Sequence, residues 1–187
     1  MLVPDFPLRT ARLEYRPYAE SDLDFIHHLE SNPVVMRYAT FDPRDRAEAR
    51  ASLAKKIDET ALRTEGDNLT PVIVLPETGE PIGDVQLTWI SREHRQGEIG
   101  YIVHPDHTGN GYATEAAALM LRLGFEGLDL HRIEGRLDAR NVASARVLER
   151  LGMRREACLV QYRQVRGEWT DVLVYAILAQ EWRAQSR

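Results

Sequence analysis

Residues 98–122 hold the tightest constraint in this chain. A short apolar run, EIGYIV, passes through His104-Pro105-Asp106-His107 into a turn with two glycines, and an alanine-rich segment follows. The run has strand length, and Ala116, Leu119, Met120 and Leu123 share one helical face, with Gly127 placed to end the helix. The segment therefore reads as a strand-turn-helix unit. Glycines at such a junction let successive backbone N–H groups converge on one point at the positive end of the helix dipole, which suits a phosphate. The turn, Thr108-Gly109-Asn110-Gly111-Tyr112-Ala113-Thr114-Glu115, is no P-loop, because no Gly-Lys-Ser/Thr follows. It also lacks the third glycine and the early position of a dinucleotide fingerprint.

The flanking segments predict a sheet covered by helices. Residues 12–16 alternate like a strand until Pro17 stops them, and Ser21 stands before a short helix over residues 22–30 that ends at Asn32-Pro33. Asp42-Pro43 offers a cap for a second helix, with Leu53, Ile57 and Ala61 at four-residue spacing. Residues 71–75 and 81–90 are β-rich and separated by the turn-like Glu77-Thr78-Gly79-Glu80, an antiparallel hairpin. Residues 131–138 form a strand. Asn141 then caps a helix on which Val142, Ala145, Leu148 and Leu151 lie together until Gly152, making a strand-helix-strand crossover. Residues 153–165 and 169–178 close the chain as a hairpin about Arg166-Gly167-Glu168. The fold class is mixed α/β, with helices on the faces of a mixed sheet.

The 187 residues suit a single domain, residues 1–187, with 43% apolar and 28% charged residues. No run approaches the ~20 apolar residues of a membrane span, and the first ten residues do not resemble a signal peptide, so a cytoplasmic location without membrane attachment is expected. A net charge of -5 disfavours a nucleic-acid partner, although arginines crowd the last third, where they form a solvated face or attract a polyanionic small molecule. Cys158, the single cysteine, is expected to be a small apolar filler. No two of His27, His28, His94, His104, His107 and His131 pair at metal-ligand spacing apart from the adjacent first two, so no metal is expected.

The stretch EIGYIVHPDHTGNGYATEA resembles the coenzyme A pyrophosphate motif of the GNAT acetyltransferases, and Asn141-Val142-Ala143-Ser144 followed by VLERLGM is similar to that superfamily's second signature. The opening LRTARLEYRPY and the closing GEWTDVLVYAILAQEW resemble the subgroup that includes the ribosomal-protein N-terminal acetyltransferases. This resemblance implies a GNAT fold, a mostly antiparallel twisted sheet with a splayed pair of parallel strands and helices on both faces. It implies acetyl-CoA as cosubstrate, with backbone N–H groups of Gly109, Asn110, Gly111, Tyr112, Ala113 and Thr114 holding the pyrophosphate. Thr108 stands where family members usually carry Arg or Gln. Main-chain groups of Ile102, Val103 and His104 would hold the pantetheine arm like an added strand. Asn141 resembles an asparagine that contacts the cofactor, a role compatible with capping.

Acetyl transfer to an amine needs a neutral nitrogen, a donor for the developing oxyanion and a proton for the departing thiolate. A lysine-like amine, with pKa ~10.4, must lose a proton at neutral pH, and Glu98 is the candidate base, acting directly or through water. A backbone N–H near Ile102 would polarise the thioester carbonyl. Many relatives supply the acid from a tyrosine one turn beyond Asn141's neighbourhood, where this chain has Leu148; Ser144 matches a serine proposed as acid in the ribosomal subgroup. A thiol pKa of ~8.5 means the thiolate needs only modest help. The acceptor is expected to be a protein N-terminus or a cationic small molecule, met by residues 31–45 and 90–97. Trp89, Trp169, Tyr38 and Tyr175 are either cleft or core aromatics. A homodimer through the terminal strand or the early helices is open. So is a second reading: the same fold as an acyl-CoA-binding regulatory module of weak or no activity, motivated by Thr108 and Leu148.

Overall fold

The computed structural model describes residues 1–185. In chain order the elements are β1 (Leu8–Arg9), β2 (Glu14–Arg16), α1 (Leu23–Ser31), α2 (Arg46–Asp58), β3 (Asn68–Leu69), β4 (Val72–Leu75), β5 (Glu80–Ser91) and β6 (Gln96–Val103). They continue with α3 (Tyr112–Arg122), β7 (Arg132–Asp138), α4 (Val142–Arg150), β8 (Arg154–Val165), β9 (Glu168–Leu178) and α5 (Ala179–Gln185). One nine-stranded sheet runs in the order β1-β2-β4-β5-β6-β7-β9-β8, with β3 added against β5. All neighbours are antiparallel except β6 and β7.

The expected hairpins and the crossover are present. In the crossover β9 inserts between β7 and β8, so the last hairpin folds back into the sheet. The two-residue strands β1 and β3 were not anticipated, because two residues carry no periodicity to register, nor was the seven-residue α5, which spans only about two turns. α3 does run out at Gly127, through a π-helical turn over Leu123–Gly127.

Five local expectations are corrected. Asp45, not Asp42, caps α2: its Oδ1 accepts the N–H groups of Ala47 and Glu48, and Glu48 returns the bond to the Asp45 N–H, a capping box. Ser21 does not cap α1. It lies in a 3-10 turn, Glu20–Asp22, that precedes the helix, and Asp22 is pinned by Arg16 through two 2.8 Å bonds. α2 ends before Ala61, and Val142 is exposed while Leu148 and Leu151 are buried. Cys158 is exposed on β8, not a core filler.

Side chains alternate across the sheet, so two cores form. On one face α3, the start of α5 and Leu148 of α4 pack with Ile73, Ile99, Ile133 and Ile177; on the other, α1 and α2 pack on Tyr18, Val72 and Val74. Cross-strand partners share a face, so Asp84, Gln86 and Thr88 of β5 lie with Ile102, Gly100 and Glu98 of β6 on the α1/α2 side. Tyr101 and Val103 lie on the α3/α4 side, partly buried against the larger core.

Candidate active site

The parallel pairing of β6 and β7 covers only Gln96↔Arg132, Gly97↔Ile133 and Glu98↔Glu134, and beyond it the strands splay. Into this gap opens a cleft of about 1100 Å3, lined from Thr108–Thr114 at one end to α1, α2 and their connecting loop at the other. Hydrogen-bonding direction alternates along a strand, and two bonds fix its phase in β6. His104 donates its N–H to Ile82 O (2.8 Å), toward β5, whereas Arg95 O accepts from the His131 N–H (2.7 Å), toward β7. Even-numbered residues are thus paired with β5, and the main-chain groups of Tyr101 and Val103 face the gap.

Two of the three residues expected to make strand contacts have their main-chain groups turned to partners within the protein. Ile102 is matched with Asp84. His104 is spent at both ends, since its C=O accepts from the His107 N–H (3.0 Å). The His104 ring lies over that of His28, Nε2 to Nε2 3.0 Å, and its Nδ1 caps the 3-10 turn Pro105–His107 by accepting the Asp106 N–H.

The glycine turn has the form the sequence predicts. Gly109 (φ +83°) and Gly111 (φ +80°) are left-handed, and Gly111 caps α3. A side chain there would be strained, so only glycine leaves the following N–H groups aimed into the cleft. Thr108 is turned the other way: its N–H and its hydroxyl both bond Pro105 O, at 3.1 and 2.8 Å, so it closes the preceding turn and offers no donor to a phosphate. Asn110 braces the turn with its amide on His107 O (3.2 Å). Arg12, which the sequence marks only as a strand residue, grips Asn110 O (2.8 Å) and Glu115 (2.8 Å) from behind. Buried Thr114 Oγ1, in the first turn of α3, has no hydrogen-bond partner among the described residues. An orphan hydroxyl beside unpaired helix N–H groups is the environment a pyrophosphate completes, so the residues present fit the phosphate end of coenzyme A.

Asn141 caps α4 as expected, with Oδ1 accepting the Ser144 N–H (3.1 Å), and lines the cleft. Ser144 is not free. The Tyr101 hydroxyl lies 3.0 Å from both Ser144 O and Ser144 Oγ. Burial, partly offset by the serine bond, raises the Tyr101 phenol to about 12. Tyr101 thus brings a hydroxyl to α4 from across the gap, where the sequence offered Leu148. Leu148 itself is core, packed against the β7 backbone at Gly135. The alternation of β6 is the sequence signal for Tyr101, whose hydroxyl reaches α4 from a strand and not from the helix itself.

Glu98 sits on the α1/α2 face, just beyond Gly100, which lines the cleft. Burial raises its carboxyl above the ordinary range, against the pull of Arg136, whose Nε lies 3.7 Å away. Among the expected acceptor segments, Val34, Val35, Tyr38, Ala39, Thr40, Phe41 and Arg44 line the cleft. Residues 90–97 do not, because they are the end of β5, the connecting turn and the start of β6, at the other end of that strand from the cleft. Of the four aromatics, Tyr38 lines the cleft, Trp89 and Tyr175 are core and Trp169 is exposed.

Comparison with known proteins agrees with this geometry. The family model described as the acetyltransferase (GNAT) domain matches residues 12–154. The chain is 33% identical to the uncharacterized N-acetyltransferase YoaA of Bacillus subtilis over 92% of its length and 97% of the relative's. It is 28% identical to the spermidine N(1)-acetyltransferase of Escherichia coli over 94% and 90%. In structure it resembles a GNAT-family acetyltransferase from Bacillus anthracis (TM-score 0.82, 28% identity, 96% and 99% covered). It also resembles the Vibrio cholerae spermidine N-acetyltransferase solved with CoA and spermine (TM-score 0.79, 27% identity, 93% and 99% covered). With a splayed parallel pair, a glycine turn that fits a pyrophosphate and a family match over most of its length, the chain belongs to the GNAT acetyltransferases, enzymes that use acetyl-CoA.

Proposed function

We propose that the protein acetylates the primary amine of a small molecule, the acceptor and the acetyl donor bound together and the amine attacking directly. The observation that carries this reading is the cleft itself, which passes through the β6–β7 gap and joins a phosphate cradle on one face of the sheet to a walled chamber on the other. The N–H groups of residues 109–114 and the Thr114 hydroxyl take the pyrophosphate, Tyr101 and Val103 main-chain groups take the pantetheine arm, and the Asn141 amide keeps its Nδ2 for the same ligand. Acetyl-CoA supplies the thioester. A gap-facing N–H of β6 polarises the thioester carbonyl as charge develops, a fixed dipole in a dry cleft.

Glu98 takes the proton of the incoming ammonium, through water across the space left by Gly100. A raised carboxyl is a better match to that task than an ordinary one, because its conjugate acid forms nearer neutrality. Tyr101, protonated throughout the working range, hydrogen-bonds the departing sulfur with Ser144 behind it. The spermidine-acetylating relatives support a small molecule as acceptor. The resemblance of the opening and closing motifs to those of the ribosomal-protein N-terminal acetyltransferases supports a peptide amine as the second candidate.

The test is thiol release from acetyl-CoA with an amine panel, preceded by thermal shift. Acetyl-CoA and CoA should each raise Tm by several degrees when present at ~100 times Kd, and ATP or NAD should not. Stabilisation without thiol release by any amine would leave a binding module and sink the transferase reading.

A further inference from the structure

Resting on that reading, we infer that the acceptor is a primary amine with one positive charge and an apolar body, and not a polyamine. The chamber it enters has its buried carboxylates neutralised from within. Glu30 and Asp84, both almost fully buried, line it from α1 and β5. Glu30 accepts from Arg44 Nη1 at Oε2 (2.7 Å) and from Ser52 Oγ at Oε1 (2.9 Å), and Lys56 Nζ lies 3.7 Å from that same Oε1. The same Lys56 ammonium bonds Asp84, which also accepts from the Tyr18 hydroxyl (2.9 Å). Two carboxylates thus meet two cations of the chain. The third carboxylate well inside, Asp138, is held by Arg140 through both oxygens.

Such a chamber has little net negative field to offer. An ammonium entering it loses hydration with little net counter-charge to replace the loss, and every further ammonium of a polyamine repeats the penalty. The two remaining lining carboxylates keep their charge, since Glu48 accepts the Asp45 N–H in the helix cap and Glu59 accepts from Thr70 and Asn68, but the same lining also carries Lys55, Arg136, Arg146 and Arg150. One charge is tolerable because the reaction discharges it, the proton passing to the base before attack.

The opposite wall is apolar and fixed. Val34, Val35, Tyr38, Ala39 and Phe41 of the α1–α2 loop face the cleft, and the Arg44 guanidinium lies 4.0 Å over the Phe41 ring. The loop is latched from the far end of the chain by Arg166, in the β8–β9 turn. Its guanidinium donates to Met36 O (2.7 Å), Phe41 O (3.1 Å) and Arg37 O (3.3 Å) and pairs with Asp42 (3.1 Å). A wall held at four points presents a standing apolar surface, and burial of an acceptor's hydrocarbon against it supplies the affinity that its single charge does not. The spermidine specificity in the names of two relatives therefore does not pass to this chain with the fold.

The experiment compares initial rates of thiol release from acetyl-CoA by the wild-type protein with 2-phenylethylamine, n-hexylamine, ethanolamine, spermidine and spermine. The expected result is a kcat/KM for 2-phenylethylamine or n-hexylamine at least tenfold above those for spermidine, spermine and ethanolamine. Equal or better use of spermidine or spermine overturns the inference while leaving the transferase reading intact. If acetyl-CoA raises Tm but no amine releases thiol, transfer itself fails and the inference with it. A second arm uses Lys56→Gln, checked for folding by circular dichroism. Removing the internal cation should move the spermidine to n-hexylamine ratio at least fivefold toward spermidine, and a folded variant with an unchanged ratio counts against the neutralised chamber.

Discussion

The phenol oxygen of Tyr101 lies 3.0 Å from both the carbonyl and the hydroxyl oxygen of Ser144, and this fixes the direction of both protons. A carbonyl can only accept, so Tyr101 donates to Ser144 O, and the serine hydroxyl must then donate to the phenol oxygen. Neither proton points at a third group, and either hydroxyl must rotate before it can serve a departing sulfur.

Tyr101→Phe should therefore act twice. It leaves the Ser144 hydroxyl without its acceptor and removes the nearest donor for the thiolate. Single-turnover transfer should fall about 10 to 100-fold, within the usual range for a positioned proton donor or less. Ser144→Ala keeps the phenol and its carbonyl bond, and should cost less than about fivefold. Equal losses in the two variants would show that the serine, and not the tyrosine, meets the sulfur.

The pH dependence of kcat/KM should show an acid limb set by Glu98. Its carboxyl is raised chiefly by burial, so the active carboxylate is lost as pH falls through a value above the ordinary glutamate range. Arg136 opposes that rise, so Arg136→Gln should move the limb to still higher pH. Glu98→Gln should abolish it and lower the neutral-pH rate about 100-fold or more. A limb that persists in Glu98→Gln assigns the base elsewhere.

Gly111→Ala places a left-handed φ of +80° on a residue with Cβ, at roughly 1–2 kcal/mol. The added carbon would meet Arg12 at an ordinary 3.5 Å, so the cost is conformational, not steric. Relaxing the turn misdirects its N–H groups, and isothermal titration should show acetyl-CoA binding weakened about tenfold. Gly109→Ala, with open space around it and φ of +83°, should behave alike.

Arg166→Ala should unlatch the α1–α2 loop without touching the phosphate cradle. Limited trypsin digestion should cut after exposed Arg37 at least severalfold faster than in the wild type, while the acetyl-CoA thermal shift stays unchanged. Arg166→Lys, which loses the forked geometry, should fall between the two.

Local chemistry made much of the protein legible from residues alone. Asn141 caps α4 because an Asn before an amphipathic run satisfies orphan N–H groups, and Gly109 and Gly111 mark a turn that other residues resist. The order of strands and helices follows from periodicity, and the capping box at Asp45 is legible as Asp-x-x-Glu, three residues beyond the competing signal Asp42-Pro43. What only the tertiary structure decided are phases and distances between segments far apart in sequence. Whether Ile102 or Val103 faces the gap depends on the register with β5, which shifts every group to the other side on a one-residue slip. The meeting of Tyr101 with Ser144, of Lys56 with Glu30 and Asp84, and of Arg166 with the loop at Met36 joins residues up to 130 positions apart. Pairing of that kind leaves no periodic trace, because it is set by how the sheet stacks its helices and not by any neighbour along the chain.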